Sequence, residues 1–432
     1  MIHMLGKDII RLHAGWLIDG SGRPPENDVL ITIADGRIQR LTGVDTPGSG
    51  GIAPVEDLSR CTVMPGLIDS HVHLFMSGTH DLVVRERQLE ADFDTVREAI
   101  TRRLGKCLEN GIIAVRDGGD RHGHALAYKQ EVLDPRALPV AVSAAGRAWR
   151  RGKRYGRLIG RPPDPGRGLS GSIRNSRESV DHVKIVNSGL NSLVRFGRET
   201  PPQFSLEEMT AAVAAAKEMG LKTMVHANGR VPVDIAVRAG CDSIEHGFFM
   251  GRDNLERMAE RQVVWVPTAG TMRAYIDFMQ KRVDGSRGGE QPAAGDDILP
   301  AAVEGARRNL EHQLEQISAA EGLGVPIAAG TDAGSPGVNH GTFLHEEIGI
   351  LMEAGLSVQA AVKSATSIGA RLLDMAQGGS IEKGAPATFI AVRGTPEAMP
   401  QSLGAIDALF IEGRRWSGES RCRITNDRGV HA

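Results

Sequence analysis

The chain has no apolar run approaching the roughly 18 residues that a bilayer-spanning helix needs. Its opening residues, Met1-Ile2-His3-Met4-Leu5-Gly6-Lys7-Asp8, lack the long apolar region of a signal peptide, so a cytoplasmic location is expected. Cysteine is scarce. The four present (Cys61, Cys107, Cys241 and Cys422) form no Cys-x-x-Cys pair, which argues against a disulfide framework or a thiolate metal cage and for reduced core thiols. An excess of either charge is also missing: 51 Lys and Arg stand against 53 Asp and Glu, and a formal net charge of −2 gives no general pull toward nucleic acid or membrane. Short-period repeats and low-complexity tracts are absent. At 432 residues, the chain has room for a full barrel and a smaller accessory domain.

What the chain does have is Met64-Pro65-Gly66-Leu67-Ile68-Asp69-Ser70-His71-Val72-His73. The apolar run from Val63 to Ile68 reads as a β-strand, and alternation along a strand sends His71 and His73 from the same face. Two imidazoles on one strand are half of a first-row metal site. Two solvated turn histidines are the plainer alternative. Three further strand-like runs end in possible ligands: Leu221 to His226, Ser243 to His246, and Val325 to Asp332. A fourth, His182 to Val186, offers Lys184. Such runs bounded by turn signals fit buried parallel strands. The intervals agree with one another. They are 111 residues from His73 to Lys184, 42 to His226, 20 to His246 and 86 to Asp332. At roughly 30 residues per βα unit, the ligands fall at the ends of strands 1, 4, 5, 6 and 8, on the face where barrels of this kind carry chemistry.

One unit is readable in detail. Ser205-Leu206-Glu207-Glu208 is a capping box opening a helix that Gly220 ends, and the run from Pro232 to Ala239 gives a second, stopped by Gly240. His226 and His246 therefore sit on adjacent parallel strands, where they could share a metal; a buried histidine bonded to a carbonyl is the alternative for each. The expected class is α/β: a (β/α)8 TIM barrel over residues 65–378. Short strands in 1–64 and 379–432 would form a small β-sandwich built from both termini, since neither piece buries both faces alone.

The ordered set Pro65 to His73, Val183-Lys184-Ile185, Val225-His226-Ala227, Ile244-Glu245-His246-Gly247 and Gly330-Thr331-Asp332-Ala333-Gly334 resembles the amidohydrolase superfamily. More narrowly, it is similar to binuclear-metal members related to imidazolonepropionase and the Xaa-Pro and Xaa-Arg dipeptidases. The resemblance implies two divalent ions, expected to be zinc, one held by His71, His73 and Asp332 and the other by His226 and His246. Lys184 would bridge them as a carbamate derived from carbon dioxide. On residue chemistry alone, a salt-bridged or Schiff-base lysine stays open. The implied activity is hydrolysis of an amide C–N bond by a metal-bridging hydroxide, with Asp332 as proton shuttle, or as ligand only. Dipeptides or N-acyl amino acids are the implied substrates; cyclic amides, carbamates or urea-like bonds are the alternative. A mononuclear deaminase fits less well, because His246-Gly247-Phe248-Phe249 lacks the His-x-x-Glu of those relatives. A non-catalytic metal binder would be expected to have lost a ligand, and none is missing. The expected partner is a small-molecule amide, with the protein acting as a homo-oligomer.

Loops after the strands should select the substrate, which nominates Asn187, Ser188, Asn228 and His340; His340 could equally be an ordinary loop histidine. From Arg147 to Arg177, ten Lys or Arg face only Asp164, a local charge of +9 on the catalytic side. Arg150 and Arg154 in this segment are candidates to attract an anionic substrate as part of a mobile lid; a solvated loop or a subunit contact are the alternatives. The polar segment from Asp284 to Asp297 is expected to be mobile.

Overall fold

The computed structural model describes residues 9–44, 55–192, 195–287, 299–375 and 377–417. The segment 288–297 and Cys422 lie outside the described residues, whereas residues 284–287 continue the helix Gly270–Arg287. No helix among the described residues is long and apolar enough to cross a membrane.

Four strands open the chain: β1 (Ile9–Leu17), β2 (Glu26–Ala34), β3 (Arg37–Gly43) and β4 (Val55–Pro65). Nine follow in the central region: β5 (Leu67–Val72), β6 (Ile112–Asp117), β7 (Ala141–Ala144), β8 (Ala148–Trp149), β9 (Gly160–Arg161), β10 (His182–Val186), β11 (Lys222–Gly229), β12 (Ser243–Phe249) and β13 (Val264–Val266). Three close it: β14 (Phe389–Arg393), β15 (Ile406–Ile411) and β16 (Arg414–Arg415). The two termini share one sheet, in the order β16-β15-β14-β4-β1-β2-β3. Ile38 N–H donates to Ala385 O and Ala387 N–H to Gly36 O, so the β2–β3 hairpin meets the segment that leads into β14. Alternate residues of these strands, among them Leu12, Ile31, Val63, Phe389 and Phe410, form one buried cluster.

The central strands are parallel and alternate with helices, the α/β arrangement of the TIM-barrel type. They fall into two hydrogen-bonded sheets, β5-β6-β7 and β13-β12-β11-β10-β8-β9. Asp181 N–H donates to Ala144 O, linking the approach to β10 with the end of β7. On the other side, isolated parallel bridges join Trp265 to Ile327 and Ala333 to Val72. The run Val325–Asp332 thus lies between β13 and β5 through single bridges rather than a continuous ladder. Proline at 326 removes one donor, and Asp332 turns into the left-handed region at φ 59°. The capping box is present: Glu208 N–H donates to Ser205 Oγ, and Ser205 N–H to the Glu208 carboxylate. That helix, Leu206–Glu218, sets up β11, and the helix Arg230–Ala239, closed by Gly240 at φ 82°, sets up β12.

A buried carboxyl group also fixes the helical layer. Glu347, on the helix Phe343–Glu353, is fully buried and accepts N–H groups of Ala269 (3.0 Å) and Gly270 (2.7 Å) at the start of Gly270–Arg287. Glu347→Ala should leave both donors orphaned and destabilise the fold by about 2–5 kcal/mol. A denaturant midpoint equal to that of the parent protein would show that these N–H groups find other partners.

Candidate metal centre

Parallel strands end in register here, which is why distant residues meet. Val186 pairs with His226 across β10–β11, and Ala227 with His246 across β11–β12. The His71 ring centroid lies 5.5 Å from that of His73 and 5.1 Å from that of His246, and His226 and His246 are 4.6 Å apart. Asp332 Oδ1 lies 3.4 Å from His73 Nε2 and 3.6 Å from His71 Nε2. Lys184 Nζ lies 3.4 Å from His71 Nε2. His71, His73 and Asp332 each offer a ligand atom within 4.8 Å of the others. The six sequence-nominated ligands thus line one cavity of about 330 Å³.

Three of the four imidazoles are held through one nitrogen. His73 Nδ1 is 2.9 Å from Gly119 O, and His246 Nδ1 is 2.8 Å from Thr268 Oγ1. His226 Nε2 is 3.2 Å from Gly189 O. His71 Nδ1 makes a close but off-axis contact, 2.9 Å, with the carboxylate of Glu245. Partners of this kind set the ring orientation and leave the other nitrogen for a ligand. Desolvation keeps the rings neutral, the form that binds metal. It lowers His73 to about 4 and His226 to about 3, and drives His71 and His246 well below their ordinary value. The same cause brings Lys184 down to about 8 and lifts Asp332 to about 6. Four neutral imidazoles, a carboxylate and a lysine inclined to lose its proton are a donor set that fits divalent metal.

The backbone gives way to reach this geometry. His246 (φ 70°), Thr268 (φ 50°) and Asp332 (φ 59°) all occupy the left-handed region, where non-glycine residues carry about 1–3 kcal/mol of strain each. Trp265 Nε1 and Gln313 Nε2 donate to His246 O at 3.0 and 3.2 Å, which holds the turn. Gly118 has no room for a side chain: a Cβ there would lie 2.8 Å from His73 Cε1.

Sequence reasoning left several supporting residues without a role. Glu245 is fully buried, takes Ser243 Oγ at 2.5 Å, and faces Arg116 Nη1 at 3.3 Å. Arg116 reaches across from β6 and also donates to Ser243 Oγ at 3.0 Å. Asp117 accepts from Leu74 N–H and Gly119 N–H, fixing the carbonyl that orients His73. Asp69 accepts from Thr331 Oγ1 and N–H, tying β5 to the strand end that carries Asp332.

The nominated substrate contacts divide. Arg154 lines the cavity. Arg150 does not; it turns onto Gly160 O and Arg151 O. Asn187 spends its amide on Pro232 O and Phe204 N–H, and Ser188 Oγ bonds Gly189 O and Asn228 N–H. Asn228 Nδ2 bonds Gly189 O and sits 3.3 Å from His226 Nε2. His340 is buried against the His73 backbone. These four support the site from behind rather than line the cavity. The basic segment is also less bare than its count: Arg147 and Arg161 pair with Glu178, Arg151 with Glu208, and Arg174 with Glu218.

Residues 62–415 match the model of the amidohydrolase family. The chain belongs to the amidohydrolase family. Membership makes it a hydrolase of carbon–nitrogen bonds. An uncharacterised protein of Mycobacterium tuberculosis is 26% identical over 411 residues, 94% of this chain and 95% of that one. Imidazolonepropionase of Geobacillus thermodenitrificans is 26% identical over 257 residues, covering 51% of this amidohydrolase and 56% of the relative. The crystal structure of a Xaa-Pro dipeptidase with bound methionine in its active site superposes with a TM-score of 0.74 at 26% identity, over 95% of this chain and 100% of the other.

Glu245→Gln should weaken divalent-metal affinity by about 10–100-fold, because the charge that orients His71 is lost. Metal titration of the folded variant reads this; unchanged affinity would mean that the Glu245 contact does not orient the ring.

Proposed function

We propose that this amidohydrolase is a metal-dependent enzyme that cleaves the C–N bond of dipeptides or N-acyl amino acids. It would use two zinc ions on a closed (β/α)8 barrel over residues 65–378, with a small β-sandwich built from 1–64 and 379–432. The observation that carries the reading is the set of four imidazoles, three buried and His73 half-buried, that line one cavity with Lys184 and Asp332. His71, His73 and Asp332 would hold one ion and His226 and His246 the other, with Lys184 between them. When bound, the ions would supply Lewis acidity and a water whose pKa is lowered to about 7.

The chain's own groups do the rest. Burial favours loss of the ammonium proton from Lys184, and the neutral amine is the form that adds carbon dioxide: an N–C bond forms, the nitrogen releases a second proton, and the neutral amine becomes an anionic ligand. Asp332, raised toward neutrality, can take a proton and release it to the departing nitrogen. Ser335 Oγ donates to Asp332 Oδ2 at 2.9 Å, which keeps that carboxylate in place. The methionine in the similar Xaa-Pro dipeptidase supports a substrate with an amino-acid part.

Elemental analysis and kinetics test this together. Lys184→Ala should lose bound metal. Asp332→Asn should keep much of it while kcat falls by about 10²-fold or more. Near-normal turnover by Asp332→Asn would leave Asp332 a ligand only.

A further inference from the structure

Arg85, in the cavity wall beside Gly334, comes from a helix only lightly anchored to the core, with Leu89 partly buried against it. Leu82–Glu90 fully buries none of its residues, and Leu82 is 78% exposed. It is fixed by polar ties instead. Gln88 exchanges hydrogen bonds with Ser77, and Arg85 Nη1 donates to Ser77 O (3.0 Å), Thr79 O (3.3 Å) and Gly334 O (3.0 Å). Three carbonyls on one nitrogen fix the guanidinium plane. Its Nε and Nη2 edge takes no acceptor among the described residues, and that edge is the fork that matches a carboxylate. Arg85 is half-buried, lines the cavity, and has no carboxylate partner of its own within salt-bridge distance among the described residues. Asp332 is the one carboxylate among the described residues lining that cavity, against Arg85, Arg154, Arg157 and Lys184.

Position says what this arginine would hold. If Asp332 returns a proton to the departing nitrogen, that nitrogen lies beside residue 332. In an α-amino acid, the carboxyl carbon is about 2.5 Å from the nitrogen, by the N–Cα and Cα–C bond lengths. A leaving amino acid therefore brings its carboxylate next to the group tethered at Gly334. For the acyl side the same cavity offers the rings and alkyl groups of Tyr155, Leu158 and Ile159, while Arg154 and Arg157 would repel a free ammonium.

We propose that Arg85 is the specificity-determining anchor for the α-carboxylate of the leaving amino acid, and that the favoured substrates are N-acyl amino acids with an uncharged apolar acyl group. This rests on the C–N hydrolase reading above. The test uses the zinc-loaded full chain, N-benzoyl-L-leucine and N-benzoyl-L-leucinamide, with benzoate release as the assay and calorimetry of L-leucine as a binding readout independent of turnover. Arg85→Met should raise the KM of the acid relative to that of the carboxamide by about 10-fold or more and abolish L-leucine binding, and Arg85→Lys should recover part of both. Equal changes for acid and carboxamide, with L-leucine binding retained, would overturn the anchor and leave Arg85 a tie between helix and loop. A parent protein that cleaves neither compound yet binds L-leucine through Arg85 would overturn the substrate reading while supporting the anchor.

Discussion

Desolvation of the polar groups on the inner face of the parallel strands is the constraint on which the rest depends. An isolated buried charge costs many kcal/mol, so such groups must pair, lose their charge, or take up an ion. The first two outcomes occur in one column, and the donor set above it suits the third. Arg116 and Glu245 pair at the level below the cavity. Asp69 and Asp117 are raised to about 7 by burial, against two backbone N–H donors each. The imidazoles above them are left neutral with one nitrogen spoken for. The metal-ready layer is thus the top of a stack whose lower members hold it in place.

That stack explains where the backbone is strained. Strict alternation along β12 would send Ser243 and Glu245 inward and His246 away from the site. The left-handed turn at His246 breaks the alternation, so Glu245 and His246 both serve the centre, one from below and one directly. Asp332 makes the same turn at the end of its run. Neither conformation is intrinsically favourable, and each persists because neighbouring groups over-determine it. For His246 these are Trp265, Gln313 and Thr268; for Asp332 they are its own N–H to His71 O and the Ser335 hydroxyl.

Much of this was legible in the sequence, and the limits have a physical cause. The candidate ligands and the parallel strands that carry them are readable from apolar runs with punctual turn residues, because a buried parallel strand has little freedom in composition. Stepping back two residues from each ligand would also have found Asp69 below His71 and His182 below Lys184, since period two keeps them on one face. Glu245 escaped that rule because of the turn at His246. Asn187, Ser188, Asn228 and His340 were nominated by nearness in sequence to ligands, but nearness does not say whether a side chain enters the cavity or satisfies a carbonyl behind it. Arg85 carries no sequence signal at all: its helix is nine residues with no buried face.

The division of labour between strands and loops follows from the same energetics. Groups that must be oriented to fractions of an ångström sit on strand ends, where burial and ladder hydrogen bonds leave one conformation. The cavity-lining arginines sit instead on segments held by polar ties, Arg85 on its short helix and Arg154 and Arg157 on the basic stretch 147–177. There, Glu178, Glu208 and Glu218 neutralise several arginines, and Arg154 is left facing the cavity. A segment tethered by ion pairs and cation–π stacking, as Arg161 is over Trp149, can change its cavity-facing residues without disturbing the core. Trp149, Leu169 and Ile173 anchor that stretch in the core, so its ion pairs position the cavity-facing arginines on a fixed base.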